Sequence, residues 1–160
     1  MGWGDRYKEP ECPDGTKRYI LKDLKDIPII FSEYFPEWNA KINTGLNITR
    51  GIVEANAGFE VAEEAKKVYD NISNLNQSAI IKFKTSYMSY CTNPCGKDKV
   101  LDDAVTQINS HLDEMDKQLS YLETIKNTPQ PSDTTVGSDD PRLSALDVVG
   151  KELMDMANSF

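Results

Sequence analysis

Two cysteines, Cys91 and Cys95, flank Thr-Asn-Pro, a spacing close to that of zinc-ligand pairs. A structural zinc needs four ligands, and Cys12 and His111 are the only further cysteine and histidine in the chain. In a helical hairpin bent at this pair, His111 lies about 18 Å from the bend, because each helical residue advances about 1.5 Å. We therefore expect no metal site. A redox or disulfide pair of Cys91 and Cys95 stays open, as does simple packing of both side chains in a loop.

The ionisable side chains do not form an arrangement typical of an enzyme. His111 lies between Ile108 and Met115 on an apolar helix face, as expected for a residue at the edge of a core. The sequence lacks a phosphate-binding glycine loop, a nucleophile elbow and a His-Glu-x-x-His motif. It predicts a protein that is not an enzyme and has no cofactor. Two acidic groups lie on polar helix faces without the Glu-x-x-His pairing of diiron bundles: Glu60, Glu63, Glu64 and Asp113, Glu114, Asp116.

Composition favours one globular domain over residues 1–160. Apolar residues make up 39% of the chain and charged residues 28%, and no run approaches the roughly 18 apolar residues of a membrane span. The first residues lack an apolar signal region, and an odd number of cysteines argues against a disulfide framework. We therefore expect reduced thiols and a cytoplasmic protein. The acceptor patterns at Asn47, Asn71 and Asn76 are then interpreted as chance matches.

Charge is unevenly distributed along the chain. The net charge is −8, with 14 acidic and 13 basic side chains in residues 1–98 and 12 acidic and 5 basic ones in residues 99–160. An acidic second half repels phosphate backbones, which excludes nucleic acid as the expected partner. It suits a basic partner, or it is a solvated surface that aids solubility.

The segment 1–25 contains many glycines and prolines and is predicted to be irregular, with a short strand at 17–21. The next apolar stretch predicts a helix ending near Tyr34 and a new helix beginning at Pro36. Its aromatic side chains either lie in the core or form an exposed anchor patch for a partner. These candidate anchors are Phe31, Tyr34, Phe35 and Trp38.

Residues 37–91 contain no proline and carry the 3.5-residue spacing of a coiled-coil seam, and residues 99–127 carry one continuous apolar helix face. Because about seven residues join these two long helices, they are predicted to form an antiparallel hairpin. Gly45 either breaks the first of them or is compensated by close packing. A linker at 128–139 leads to a last helix at 140–159, capped by Asp140.

Small residues recur at helical spacing in the first long helix, which predicts an unusually close approach of a second backbone. The stripe consists of Gly51, Ala55, Gly58, Ala62 and Ala65. The same segment, 45–62, has the composition of a helix that inserts into a bilayer. Charged side chains at Arg50, Glu54 and Glu60 oppose that interpretation at bilayer depth.

The predicted fold is therefore all-α. An antiparallel bundle is built on a long αα-hairpin, with a helical core at 26–127. The function favoured by the sequence is a non-catalytic protein–protein interaction module, an adaptor, inhibitor or assembly subunit that binds itself or another protein. Two alternatives stay open: a membrane-active helical protein, and a thiol-based sensor or metal-binding protein at Cys91 and Cys95.

Overall fold

The computed structural model describes residues 6–55, 58–96, 99–129 and 140–160, and over these ranges the fold is all-α, as predicted. Most of the predicted linker at 128–139 lies outside the described residues. The elements, in chain order, are β1 (Tyr7–Lys8), β2 (Ile20–Leu21), a short 3-10 turn (Leu24–Asp26), α1 (Ile27–Tyr34), α2 (Pro36–Glu54), α3 (Phe59–Thr92), α4 (Lys99–Ser110), α5 (Leu112–Asn127) and α6 (Pro141–Asn158).

The first segment of the chain is a small β-hairpin attached to α3. β1 and β2 pair in antiparallel fashion with Tyr7 opposite Leu21, which supplies the partner that the predicted strand lacked. The backbone N–H of Leu21 donates to the Tyr87 hydroxyl on α3 at 3.2 Å. This segment is therefore more ordered than predicted, because its strands gain a hydrogen bond and apolar cover from the helical core.

The boundary between α1 and α2 lies at Phe35, as the proline pattern predicted. Pro36 occupies the first turn of α2, where its missing N–H costs no helical hydrogen bond. Phe35 itself leaves the helical conformation, with φ −129° and ψ 62°, because a residue before proline is displaced from the α region. The change of direction brings the rings of Phe31 and Phe35 to the same side of α3, each facing Phe83.

The first predicted long helix is two helices, and the break is not at Gly45. α2 ends at Glu54 and α3 begins after Gly58, whose φ of 109° and ψ of 153° are accessible almost only to glycine. Gly45 lies inside α2, where an added Cβ would come within 3.0 Å of Leu119 and 3.1 Å of Ile72. Close packing against α5 and α3 thus compensates the glycine that sequence analysis considered as a break.

The small-residue stripe does not form one helix face, contrary to prediction. Ala55 caps the end of α2 and Gly58 precedes α3, so both are exposed in the turn. Gly51 faces the side chain of Lys126, Ala62 is half-buried, and Ala65 is fully buried in α3. The turn divides the stripe, so its members cannot bring one second backbone close along their whole length.

Replacing Gly58 by alanine is expected to lower the free energy of unfolding by about 1–3 kcal/mol, since a side chain is strained at this φ and ψ. Gly51→Ala is the matched control, because residue 51 is helical and an added Cβ meets only the flexible end of Lys126. That control should stabilise the protein, by up to about 1 kcal/mol. Urea denaturation of both variants measures the difference. Equal effects would contradict the position of the turn.

The bend between α3 and α4 confirms the predicted hairpin. The backbone N–H of Asn93 donates to the carbonyl of Tyr90 at 3.1 Å, and Gly96 donates to Asn93 at 3.2 Å. The second predicted long helix is interrupted at His111, which separates α4 from α5. The predicted cap of α6 is present: the Asp140 carboxylate accepts from the backbone N–H of Arg142 at 3.0 Å.

The core is organised around α3, which packs against α1, α2, α4 and α6, while α5 packs against α2 and α6. Phe83 lies at its aromatic centre, with ring centroids 5.7 Å from Phe31, 5.6 Å from Phe35 and 5.7 Å from Tyr87. The residues of the predicted seam are all buried: Ala65, Val68, Ile72, Leu75 and Ala79. Coiled-coil packing of this seam stays a prediction.

Candidate interaction surface

The cysteines are paired differently from every sequence-based expectation. A disulfide joins Cys12 to Cys95, with 5.5 Å between their Cα atoms, and Cys91 is free. The expectation of three reduced thiols and the alternative of a Cys91–Cys95 redox pair are therefore both wrong. The reason lies in the tertiary structure, because the β-hairpin folds back over the α3–α4 bend. It brings Cys12 next to Cys95, although the two are 83 residues apart in the sequence.

The free thiol of Cys91 does not have the surroundings of a reactive cysteine. Cys91 is half-buried at the end of α3, and this burial raises its pKa, with an opposing but smaller effect of Lys8. A raised pKa disfavours the thiolate, which is the reactive form. Among the described residues, the structure brings together no three His, Cys, Asp or Glu side chains that could hold a metal ion.

The aromatic candidates are mainly core residues. Phe31, Phe35 and Trp38 are buried, so the alternative of an exposed anchor patch is wrong for these three. The indole N–H of Trp38 donates to the Asn76 side-chain oxygen at 3.1 Å, which satisfies its polar atom inside the protein. Only Tyr34, at 51% exposure, remains accessible to a partner.

His111 and Ser159 form a contact that resembles a nucleophile and its base, but the Ser159 hydroxyl also has a backbone acceptor. Ser159 Oγ lies 2.6 Å from the carbonyl of Met156, to which it donates, and 3.0 Å from His111 Nε2, where the direction of the bond depends on the histidine tautomer. A nucleophilic serine must instead donate to the histidine. Burial lowers the pKa of His111, which favours the neutral ring. The pair therefore fastens the end of α6 to the α4–α5 junction.

A carboxylate-rich groove lies between α3 and α6. Its acidic side chains are partly neutralised within the protein, because Lys67 Nζ lies 3.0 Å from Glu64 and Lys151 Nζ lies 3.0 Å from Asp147. The groove is therefore interpreted as a solvated surface whose carboxylates are balanced by lysines of the same surface. It is open to solvent and lined by Glu60, Glu63, Glu64, Leu143, Ser144 and Asp147.

A second groove, between α5 and α6, is mainly apolar. We call it the α5–α6 groove; it encloses about 340 Å³ and is open to solvent. Tyr121 on α5 is 45% exposed and Val148 on α6 is 55% exposed, and the two lie in the same lining. An exposed β-branched or aromatic side chain is common singly, whereas neighbouring ones in a groove are typical of a binding surface. The lining consists of Tyr121, Thr124, Ile125, Ala145, Val148 and Val149.

Carboxylates continue the α5–α6 groove beyond its apolar part. Glu152 and Asp155 follow Val148 by four and seven residues, which places them on the same side of α6. Neither makes an ion pair within the part of the chain that the structure describes. On α5, Glu114 accepts from the Gln118 side chain at 2.8 Å, and Lys117 is the nearby base.

Sequence analysis missed this groove because it considered the two helices separately. The signal was present in α6, where Val148 lies outside the buried stripe formed by Leu146, Val149 and Leu153. Tyr121 likewise adjoins the buried Leu122 on α5. Their proximity depends on how α5 and α6 pack, which the separate periodicities do not specify.

The three acceptor patterns for glycosylation differ in their surroundings. The Asn71 side-chain amide donates to the carbonyl of Gly150 at 3.1 Å, and Asn76 accepts from Trp38. Both side chains therefore have structural roles between packed helices. Asn47 is exposed on α2.

Comparison with known protein families, with curated proteins and with solved structures finds no match to this chain. Over the described residues, no helix combines the length and the apolar composition needed to cross a membrane.

Proposed function

We propose that this protein is a non-catalytic helical module that binds another protein through the α5–α6 groove. The observation that carries the proposal is the exposure of both Tyr121 and Val148 in the apolar lining of one groove. Contiguous apolar surface on a helical protein loses contact with water when a partner covers it, and this is the main driving force of association. Aromatic side chains are also enriched among the residues that dominate binding energy.

The absence of a poised nucleophile at the Ser–His contact supports a binding role. Ser159 directs its proton to Met156, and the burial of Cys91 disfavours its thiolate. A backbone carbonyl thus competes for the proton of Ser159, and neither side chain has the surroundings of an activated nucleophile. Membrane insertion of segment 45–62 has less support, because Ile48 and Ile52 are already buried in the core.

We propose an oxidising compartment for the protein rather than the cytoplasm. The cytoplasmic expectation came from the lack of an apolar signal region and accompanied the expectation of reduced thiols, whereas the disulfide between Cys12 and Cys95 is of a kind that persists outside reducing compartments. Alkylation of free thiols in intact source cells, followed by mass spectrometry, measures the native state. One alkylated cysteine supports the proposal, and three support the cytoplasm.

The test of the binding role removes the two exposed side chains together. The variant Tyr121→Ser/Val148→Ser should recover its partner from source-cell extract about tenfold less than the unmodified chain, because both apolar anchors are lost. Quantitative mass spectrometry of proteins captured on the immobilised chain measures the recovery.

The matched control is Ile81→Ser/Met154→Ser, which truncates exposed apolar side chains elsewhere on α3 and α6. Circular dichroism establishes that both variants are folded. If the same proteins are recovered equally by both variants and by the unmodified chain, the α5–α6 groove is not the binding surface.

A further inference from the structure

We infer that the partner presents a basic amphipathic helix to the α5–α6 groove, and that the occupant is not a second copy of this chain. The inference rests on the proposed binding role and specifies the chemistry of the partner. It is carried by the continuation of the apolar groove into unpaired carboxylates on the same side of α6.

The shape of the groove suits a helix. α5 and α6 run antiparallel here, since His111 at the start of α5 contacts Ser159 after the end of α6 and Ile125 lines the groove with Ala145. Between Ala145 and Asp155, α6 advances about 15 Å, at about 1.5 Å for each residue. Two antiparallel helices bounding a cleft of this length, apolar from Ala145 to Val149 and acidic beyond, can accept about three turns of a third helix, with anchors spaced by three or four residues.

The charge at one end of the groove selects a cationic partner. Glu152 and Asp155 lie one and two turns beyond Val148 on α6. Glu114 lies two turns before Tyr121 on α5, which is the same end of the groove because the two helices are antiparallel. Lys117 supplies one positive charge against these three carboxylates. A helix whose apolar side chains contact Tyr121 and Val148 would therefore place Lys or Arg side chains, one to two turns along, opposite the acidic end.

The same charges disfavour a second copy of the chain. A two-fold symmetric dimer through this groove uses the same surface on both subunits. Such a dimer would bury two copies of this acidic end in one interface, each with three carboxylates against the single positive charge of Lys117. Like charges facing each other oppose association, whereas a basic helix neutralises them.

The probe for the test is a synthetic amphipathic peptide of about 14 residues, or four helical turns, composed of leucine and lysine. Its matched control replaces every lysine by glutamate. Binding to the full chain, with the disulfide intact, is measured by fluorescence anisotropy at low and at high salt. We expect the lysine peptide to bind, with weaker binding at high salt, and the glutamate peptide not to bind.

Three variants locate the binding. Tyr121→Ser/Val148→Ser and Glu152→Lys/Asp155→Lys should each weaken the lysine peptide by about tenfold. Asp102→Lys/Asp103→Lys, which makes the same charge change on α4, should leave the affinity within about twofold. Equal weakening by the two lysine variants would mean that net charge alone attracts the peptide, and this would overturn the inference.

Two further results would also overturn the inference: the absence of lysine-peptide binding, and a sedimenting dimer that the groove variant Tyr121→Ser/Val148→Ser dissociates. Neither by itself removes the proposed function. If the groove variant loses its natural partner but the lysine peptide does not bind, the binding role stands and only the partner chemistry is wrong. If the groove variant keeps its natural partner, the binding role itself is wrong.

Discussion

Removal of the Cys12–Cys95 disulfide, by Cys12→Ser/Cys95→Ser, lowers the free energy of unfolding by about 4 kcal/mol. The bond closes a loop across 83 residues, so its loss returns a large amount of conformational freedom to the unfolded chain. The folded state loses the covalent connection between the β-hairpin and the α3–α4 bend as well. Urea denaturation of the variant and of the unmodified protein under non-reducing conditions measures the difference.

The control for this result is Cys91→Ser, which removes the free thiol and keeps the disulfide. It should change the free energy of unfolding by less than about 1 kcal/mol, because Cys91 is only half-buried and small. Peptide mapping without reduction should recover residues 12 and 95 in one linked fragment. A fragment linking residues 91 and 95 would contradict the structure and restore the pair considered from sequence.

Truncation of Phe83 to alanine lowers the free energy of unfolding by about 3–5 kcal/mol. Phe83 is fully buried and its ring contacts Phe31 and Phe35 from the first helices of the fold. The substitution removes apolar surface and leaves a cavity that three helices would have to close, which a packed core does only partly. Thermal and urea denaturation both report the loss.

Ile81→Ala is the matched control, two residues away on the same helix. Ile81 is 61% exposed, so its truncation creates no cavity and should change stability by less than about 0.5 kcal/mol. Because alanine favours a helix slightly more than isoleucine, a small gain is also consistent. A loss at Ile81 equal to that at Phe83 would mean that α3 presents a different face to the core.

Hydrophobic periodicity was sufficient to predict helices and most of the core. Most positions that it placed on the inner faces of α3 and α6 are buried, while Ile80 and Leu143 are half-buried, because an apolar stripe of period near 3.6 can be covered only on one side of a helix. Proline chemistry further located the α1–α2 boundary at Phe35, since Pro36 restricts its neighbour whatever the tertiary contacts are.

The α2–α3 turn could not be located in the same way. Gly45 and Gly58 both interrupt apolar helical patterns, and glycine has the same low helix propensity at each. The two glycines differ in their tertiary contacts. Leu119 and Ile72 approach Gly45 from other helices, while a Cβ added at Gly58 would lie in open space. Local sequence contains neither fact, so it left open whether Gly45 breaks the helix or is compensated by packing, and it did not identify Gly58 as the turn.

The disulfide and the α5–α6 groove were missed for a related reason. Cys12 and Cys95 are distant in sequence and meet only because the β-hairpin docks on α3. Tyr121 and Val148 lie on different helices and become one surface only when α5 and α6 pack. Periodicity describes one element at a time, whereas both features belong to contacts between elements.

The central position of α3 implies that unfolding is all-or-none. α1, α2, α4 and α6 each bury apolar side chains against this one helix, and the β-hairpin donates a hydrogen bond to it through Leu21. α5 adds to this interior through α2 and α6, and the buried apolar side chains of the six helices form one cluster. Because the described helices share one core, heat is expected to unfold the protein in one step, which calorimetry would check.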